Sequence, residues 1–267
     1  MLLLWTIMKC SKIIEELKKQ WPENFALSWD NVGLLLGREE KEVEKVFLCL
    51  DVTEETLDQA LEWGADMMIS HHPMIFSAVK KITDQDFLGR KILRMASEDI
   101  SYYAMHTNFD VLGMASLNEE SLGLKNSQVL ETTYEEDGRV EGIGRLGELS
   151  RPMTVKELAC LIKERLCLPD VKVYGDLNRM VFKAAVSGGS GKSMIKPALD
   201  LGAEVLITGD IDYHGGIDAM ACGLCLIDAG HYGTEYIFIS YMEEKIHELF
   251  PGLKVKGAKI QFPFQTV

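Results

Sequence analysis

The sequence predicts an α/β fold of two similar α/β lobes with mixed, partly parallel sheets and a di-metal site in the cleft between them. Three observations carry this. Short continuous apolar runs such as Val46–Leu50 alternate with amphipathic helical stretches, the pattern of strands covered on both faces by crossover helices. A strand–turn–helix–strand layout occurs twice, over 46–72 and 181–210, with Trp-Gly-Ala-Asp66 before Met-Met-Ile69 in one copy and Leu-Gly-Ala-Glu204 before Val-Leu-Ile207 in the other. In each half the following strand leads to a histidine with a carboxylate four residues on, His106 with Asp110 and His231 with Glu235. The first lobe is expected over 1–125, completed by residues from about 230 to 267, and the second over 126–229.

Taken in order, Ser11 is placed to cap a helix whose Ile13, Ile14, Leu17 and Trp21 share one face, with Pro22 ending it. Gly33 and Gly37 bracket a short strand, Leu34–Leu36. After the Val46–Leu50 strand, Thr53 caps a helix with Glu54 and Glu55 in its first turn, where the helix dipole favours anions, and Gly64 stops it. Met67–Ile69 is the next strand, followed by a helix over about 87–96 and a strand over 100–105. The polar stretch 126–150 reads as a hairpin or connection between the halves. Thr154 and Glu157 form a capping box for a helix through Arg165. Strands follow at 171–174 and 180–186, then a glycine-rich turn, a helix to Leu201 and a strand over 205–208. His231 to about Leu249 reads as helical and 253–264 as a terminal strand.

The strand ends carry the chemistry. The chain has six histidines, and His71 and His72 sit side by side where an apolar strand stops. Neighbours on extended chain point to opposite sides, so the two are expected to serve two metals rather than chelate one. One His/carboxylate pair alone would read equally well as a capped buried histidine; two such pairs with a His-His pair at strand ends, where α/β sheets bind ligands, favour a dinuclear site. Two ions about 3.5–4 Å apart need bridging carboxylates. Asp110 and Glu235 are the natural bridges, His71, His72 and His231 the terminal ligands, and His106 a sixth ligand or, the preferred reading, a neighbour of the metals able to move protons. His214, in the Asp212–Gly216 loop, is a candidate for contacting substrate or shuttling protons. His247 reads as a helix-surface residue. Imidazole and carboxylate donors without thiolate suit zinc, iron or manganese. Val186–Ser193 ends in Gly-Lys-Ser like a phosphate-binding Walker loop, but has valine where that motif requires glycine. A weaker anion contact from the turn remains open.

Composition sets the surroundings. At 267 residues, 47% apolar and 26% charged, the chain is an ordinary globular sequence with a sizeable core. Its formal charge of −13 argues against nucleic-acid binding. The apolar opening lacks the basic region and cleavage site of a signal peptide, and the expectation is that Met8 is the natural start or that the first residues are a minor extension. No run approaches a membrane span. A cytoplasmic location is expected, and the six cysteines, including the Cys222/Cys225 pair, are expected to be reduced core residues.

Trp29-Asp-Asn-Val-Gly33, His71-His72-Pro73, His106-Thr-Asn-Phe-Asp110, Gly188-Gly-Ser-Gly191 and Gly230-His-Tyr-Gly-Thr-Glu235 together resemble the NIF-three-like family, whose members are often labelled GTP cyclohydrolase I type 2 homologs. The resemblance spans nearly the whole chain. It implies a two-lobed α/β fold in the compact form without an inserted domain. It also implies two divalent metal ions per subunit on His71, His72, Asp110, His231 and Glu235, with His106 beside them. The implied assembly is a homo-oligomer, a ring-shaped (toroidal) hexamer. The implied activity is metal-dependent hydrolysis of a nucleotide-like or phosphorylated small molecule by metal-activated water. The alternative is a non-catalytic protein of metal storage, insertion or delivery.

Overall fold

The computed structural model of the chain describes residues 7–265; the opening residues 1–6, on which the start-site expectation turns, lie outside them. The chain divides into two compact units, 1–109 with 237–260 and 110–236 with 261–267.

The first unit is built on a five-stranded sheet. Lys254–Gly257, Lys45–Cys49, Met67–Ser70 and Ser101–Ala104 run parallel in that order, and Gly33–Leu36 adds an antiparallel edge. Continuous apolar runs are required here because helices lie against the sheet: Leu57 and Ala60 of the helix Glu54–Trp63 and Met95 of Phe87–Ser97 pack with Phe47, Met68 and Tyr102. Thr53 caps as expected. The first helix, in contrast, begins at Cys10 with Lys9 before it and no side-chain cap, so Ser11 does not play that part. The short strands Met8–Lys9 and Glu42–Val43, absent from the sequence reading, pair antiparallel.

The second unit holds a six-stranded mixed sheet. Met180–Ser190, Val205–Gly209 and Cys225–Asp228 run parallel, with Lys172–Tyr174 antiparallel on one side. On the other side the polar stretch forms a long hairpin, Lys125–Glu136 with Arg139–Thr154. The capping box of Thr154 and Glu157 is formed.

The unit boundaries depart from the expected 125/126 and 229/230, and packing supplies the reason. Leu122 and Leu124 enter the apolar cluster of Leu149, Val155, Leu158 and Ile162, which draws the helix Ala115–Leu122 into the second unit. Tyr236 and Phe262 pack on the same cluster. Asp110, His231 and Glu235 thereby belong to the second unit. The expected terminal strand over 253–264 shortens to Lys254–Gly257. The cysteines are all free, but only Cys10, Cys49 and Cys225 are buried; Cys160, Cys167 and Cys222 are exposed, which corrects the core assignment for those three. Among the described residues no helix is long and apolar enough to cross a membrane.

The duplication is real at the level of single hydrogen bonds. Gly64 and Gly202 end equivalent helices at φ 74°, a left-handed conformation open to glycine. Asp66 N–H donates to the Lys45 carbonyl (3.0 Å) and Glu204 N–H to that of Lys183 (2.9 Å). The Asp66 carboxylate accepts from the backbone N–H of Glu44 and Lys45 (both 2.9 Å), and Glu204 from Phe182 and Lys183 (2.6 and 2.9 Å). Lys45 and Lys183 in turn donate to the carbonyls of Trp63 and Leu201. Each acidic residue thus ties a helix–strand junction to the start of the neighbouring strand. Asp66→Ala and Glu204→Ala should each cost about 1–3 kcal/mol in urea or thermal unfolding, since two backbone donors lose a charged acceptor; a loss below about 0.5 kcal/mol in both would mean the junctions are held by packing alone.

Candidate metal centre

In both units the candidate residues stand at the carboxyl ends of parallel strands. In the first unit the ladder runs on past the strand, His71 N–H to the Cys49 carbonyl (3.2 Å) and His72 N–H to that of Leu50 (2.9 Å). This delivers Asp51, the two histidines and, after Ala104, His106 to one end of the sheet. Ring nitrogens of His71, His72 and His106 all lie within 4.8 Å of one another, an arrangement able to hold a metal. The rings of His71 and His72 are 4.9 Å apart and tilted by 46°. The two rings thus lie close together, and the backbone bends at both residues, so this strand end is irregular rather than extended.

Each ring is fixed through Nδ1. His71 donates to the Met105 carbonyl (2.8 Å), His72 meets Asp51 Oδ1 (2.8 Å) and His106 meets Asp30 Oδ1 (2.8 Å). His71 is fully buried against the rings of Phe109 and Phe238. Asp30 is the most heavily used acceptor, taking the Thr107 N–H (3.0 Å), the Thr107 hydroxyl (2.6 Å) and the Asn31 N–H (2.8 Å) as well. Burial pushes the Asp30 carboxyl up, but the hydrogen bonds from His106 and Thr107 outweigh it and hold the group at about 2.

In the second unit His231 opens the helix His231–Glu235, one turn ahead of Glu235, with Nε2 3.1 Å from Glu235 Oε2. Its Nδ1 meets Asp210 Oδ2 at 2.8 Å, the same device as in the first unit. Asp210 adopts φ 54°, a left-handed conformation that aspartate tolerates better than most residues. Asp110 begins a wide helical turn over Asp110–Met114, of the kind that often marks functional positions, and brings a carboxylate oxygen within 4.8 Å of Glu235. The glycine-rich turn explains itself here. A Cβ on Gly189 (φ 66°) would lie 2.4 Å from Glu235 Oε1. The Gly189 N–H donates to Thr234 Oγ1 and the Gly191 N–H to the Gly209 carbonyl, and Lys192 pairs with Asp212. The turn admits a carboxylate rather than presenting a row of donors to a phosphate.

His214 belongs to neither cluster; it is exposed near the start of Tyr213–Ala221, beside the Tyr213 ring. Asp30, Asp51 and Asp210, the acceptors that hold the histidines, escaped the sequence reading of the site. Asp210 had a signal, since it occupies the place of His72 in the repeat; Asp51 and Asp30 are separated from their histidines by 21 and 76 residues.

Known proteins match nearly the whole of this chain. The family model described as Duf34/NIF3 (NGG1p interacting factor 3) matches residues 8–263. A Clostridium perfringens protein named GTP cyclohydrolase 1 type 2 homolog is 37% identical over 96% of this chain and 100% of its own length. Among solved structures, a Bacillus cereus protein related to NIF3 superposes with a TM-score of 0.90 at 26% identity, covering 98% of this chain and 100% of that one. A Staphylococcus aureus hypothetical protein does so at 0.89 and 30% identity, again over 98% and 100%.

The Asp30 network predicts an acid dependence. Because the folded carboxyl is held at about 2, below its usual 3.8, its contribution is complete above about pH 4 and fades as pH falls towards 2. Asp30→Ala should cost about 2 kcal/mol at pH 7 in urea unfolding, and the gap to wild type should shrink at pH 2.5; a gap independent of pH would contradict the network.

Proposed function

This chain belongs to the Duf34/NIF3 family, and from that membership we propose that it binds two divalent metal ions, zinc, iron or manganese, on His71, His72, Asp110, His231 and Glu235. The observation that carries the reading is the common treatment of the histidines. Each gives Nδ1 to a carbonyl or carboxylate at 2.8 Å, as metal-bound imidazoles do, which leaves Nε2 as the donor atom. Asp110 and Glu235 would supply the carboxylate oxygens, the donor type able to bridge two ions.

Bound divalent ions would supply Lewis acidity and a water of lowered pKa, the chemistry of hydrolysis. His106, tethered by Asp30, is the group that moves protons. His214 is assigned no part. The substrate class is a nucleotide-like or phosphorylated small molecule, in keeping with the name carried by the clostridial relative. A second reading, metal storage, insertion or delivery, draws support from the partial exposure of His72 and His231, which leaves a path for ions to exchange. The proposal includes a cytoplasmic, ring-shaped hexamer.

Metal analysis of purified protein should find close to two ions per chain, and His72→Ala or Glu235→Ala should lose at least one; a folded metal-free protein that takes up none on titration would refute the site. A hydrolase and nucleotide screen of metal-loaded wild type beside Asp110→Ala separates the two readings. Turnover absent from the variant indicates an enzyme, and no turnover with readily exchanged metal a carrier. Light scattering should give six times the chain mass, and a monomer would contradict the ring.

A further inference from the structure

Of the exposed aromatic side chains in the first unit, Phe87 stands at the start of a helix, whereas Trp29 and Phe76 stand together. Phe47, Tyr102, Tyr103, Phe109 and Phe238 are fully buried, whereas Trp29 and Phe76 are 56% and 52% exposed. They are not scattered. Their ring centroids are 5.8 Å apart at 45°, and both meet the His106 ring nearly edge-on, at 6.0 Å and 72° for Trp29 and 6.5 Å and 70° for Phe76. Adjacent exposed aromatic rings beside a cluster of histidines are the kind of apolar surface that a ligand or another surface covers.

The pair is also held in place. Trp29 lies between Ser28 and Asp30, the residue that fixes His106, and the next residue, Asn31, donates through Nδ2 to the Ile75 carbonyl at 2.5 Å. That bond ties the Trp29 loop to the Phe76 loop, so the rings are pre-set rather than left to find their position on binding. Lys80 and Lys81 follow Phe76 in the same loop, both exposed and without an ion pair among the described residues. On a chain of net charge −13 they form a local attraction for an anion.

We propose that Trp29 and Phe76 form a stacking floor beside the histidine cluster for a planar heteroaromatic ring, with Lys80 and Lys81 drawing an anionic substituent of the same ligand. Every ring has a π-face to offer, so the floor selects flat aromatic rings over sugars or aliphatic phosphates without reading their edges. Ring stacking would fix the ligand against His106 and set which of its atoms comes to the cluster. The proposal deepens the metal reading by naming the ligand class, and rests on it for the reaction though not for the binding step.

Calorimetric titration of the full-length chain, metal-free and metal-loaded, with inosine 5′-monophosphate, inosine and ribose 5-phosphate tests it. The monophosphate should bind the metal-free wild type, with ribose 5-phosphate about tenfold weaker or worse. Trp29→Ala and Phe76→Ala should each lose about tenfold, while Trp29→Phe should recover most of the affinity. The double variant Lys80→Ala/Lys81→Ala should weaken the monophosphate and leave inosine unchanged. No binding of the monophosphate to wild type, equal affinity in the alanine variants, or ribose 5-phosphate binding as tightly would overturn the floor. So would an oligomer that dissociates on Phe76→Ala with nucleotide affinity unchanged, which would mark the pair as a contact between copies of the chain. Metal content of the same samples keeps the two ideas apart. Ring binding without metal uptake refutes only the metal reading, and metal uptake without ring binding refutes only the floor.

Discussion

A neutral imidazole has one N–H and one lone pair, and whatever accepts the N–H decides where the lone pair points. His71, His72, His106 and His231 each commit Nδ1 to an oxygen at 2.8 Å, namely the Met105 carbonyl, Asp51, Asp30 and Asp210. For His71 the partner is a carbonyl, which can only accept, so its tautomer is determined outright. The remaining features near the histidines serve these four bonds. The strand ladder continues past Ser70 so that Asp51 reaches His72, and Asp210 accepts a left-handed backbone to reach His231.

The duplication shows how one scaffold came to supply two different donor sets. Equivalent bonds recur at the helix ends, at Asp66 and Glu204, and at the strand ends, where Met105 N–H bonds the Ser70 carbonyl and Ala229 N–H that of Thr208. Past those bonds the two copies diverge. One copy continues into His71 and His72; the other continues into Gly209 and Asp210, and its carboxylate now orients a histidine instead of being oriented beside one. Glycine is needed at 209 because a Cβ there would lie 2.4 Å from the His231 backbone nitrogen, and at 189 because Glu235 occupies the space. The resemblance to a Walker loop is a by-product of that packing.

Much of the fold was legible in the sequence, and the illegible part has a common cause. Apolar runs, caps at Thr53 and Thr154, the repeat and the spacing of His and carboxylate are local patterns, and each survives into the structure. The acceptors of Nδ1 are not local: Asp30 meets His106 across 76 residues of chain, and nothing near either residue announces the other. The unit boundary at 109/110 turned on Leu122 and Leu124 joining a core whose other members lie beyond residue 148. The close approach of the His71 and His72 rings depends on the bend at the strand end, since strict alternation holds only for extended backbone.

If Nδ1 of each histidine is committed to an oxygen, any bound metal must be held through Nε2, and one measurement can see this. Crystals of the full-length chain grown with manganese or zinc, and analysed by anomalous differences at the metal edge, should show two ions per chain. Each of His71, His72 and His231 should be bound through Nε2 at about 2.0–2.2 Å, with every Nδ1 still on its present oxygen. Ions bound through Nδ1, or ions found only away from these residues, would contradict the account.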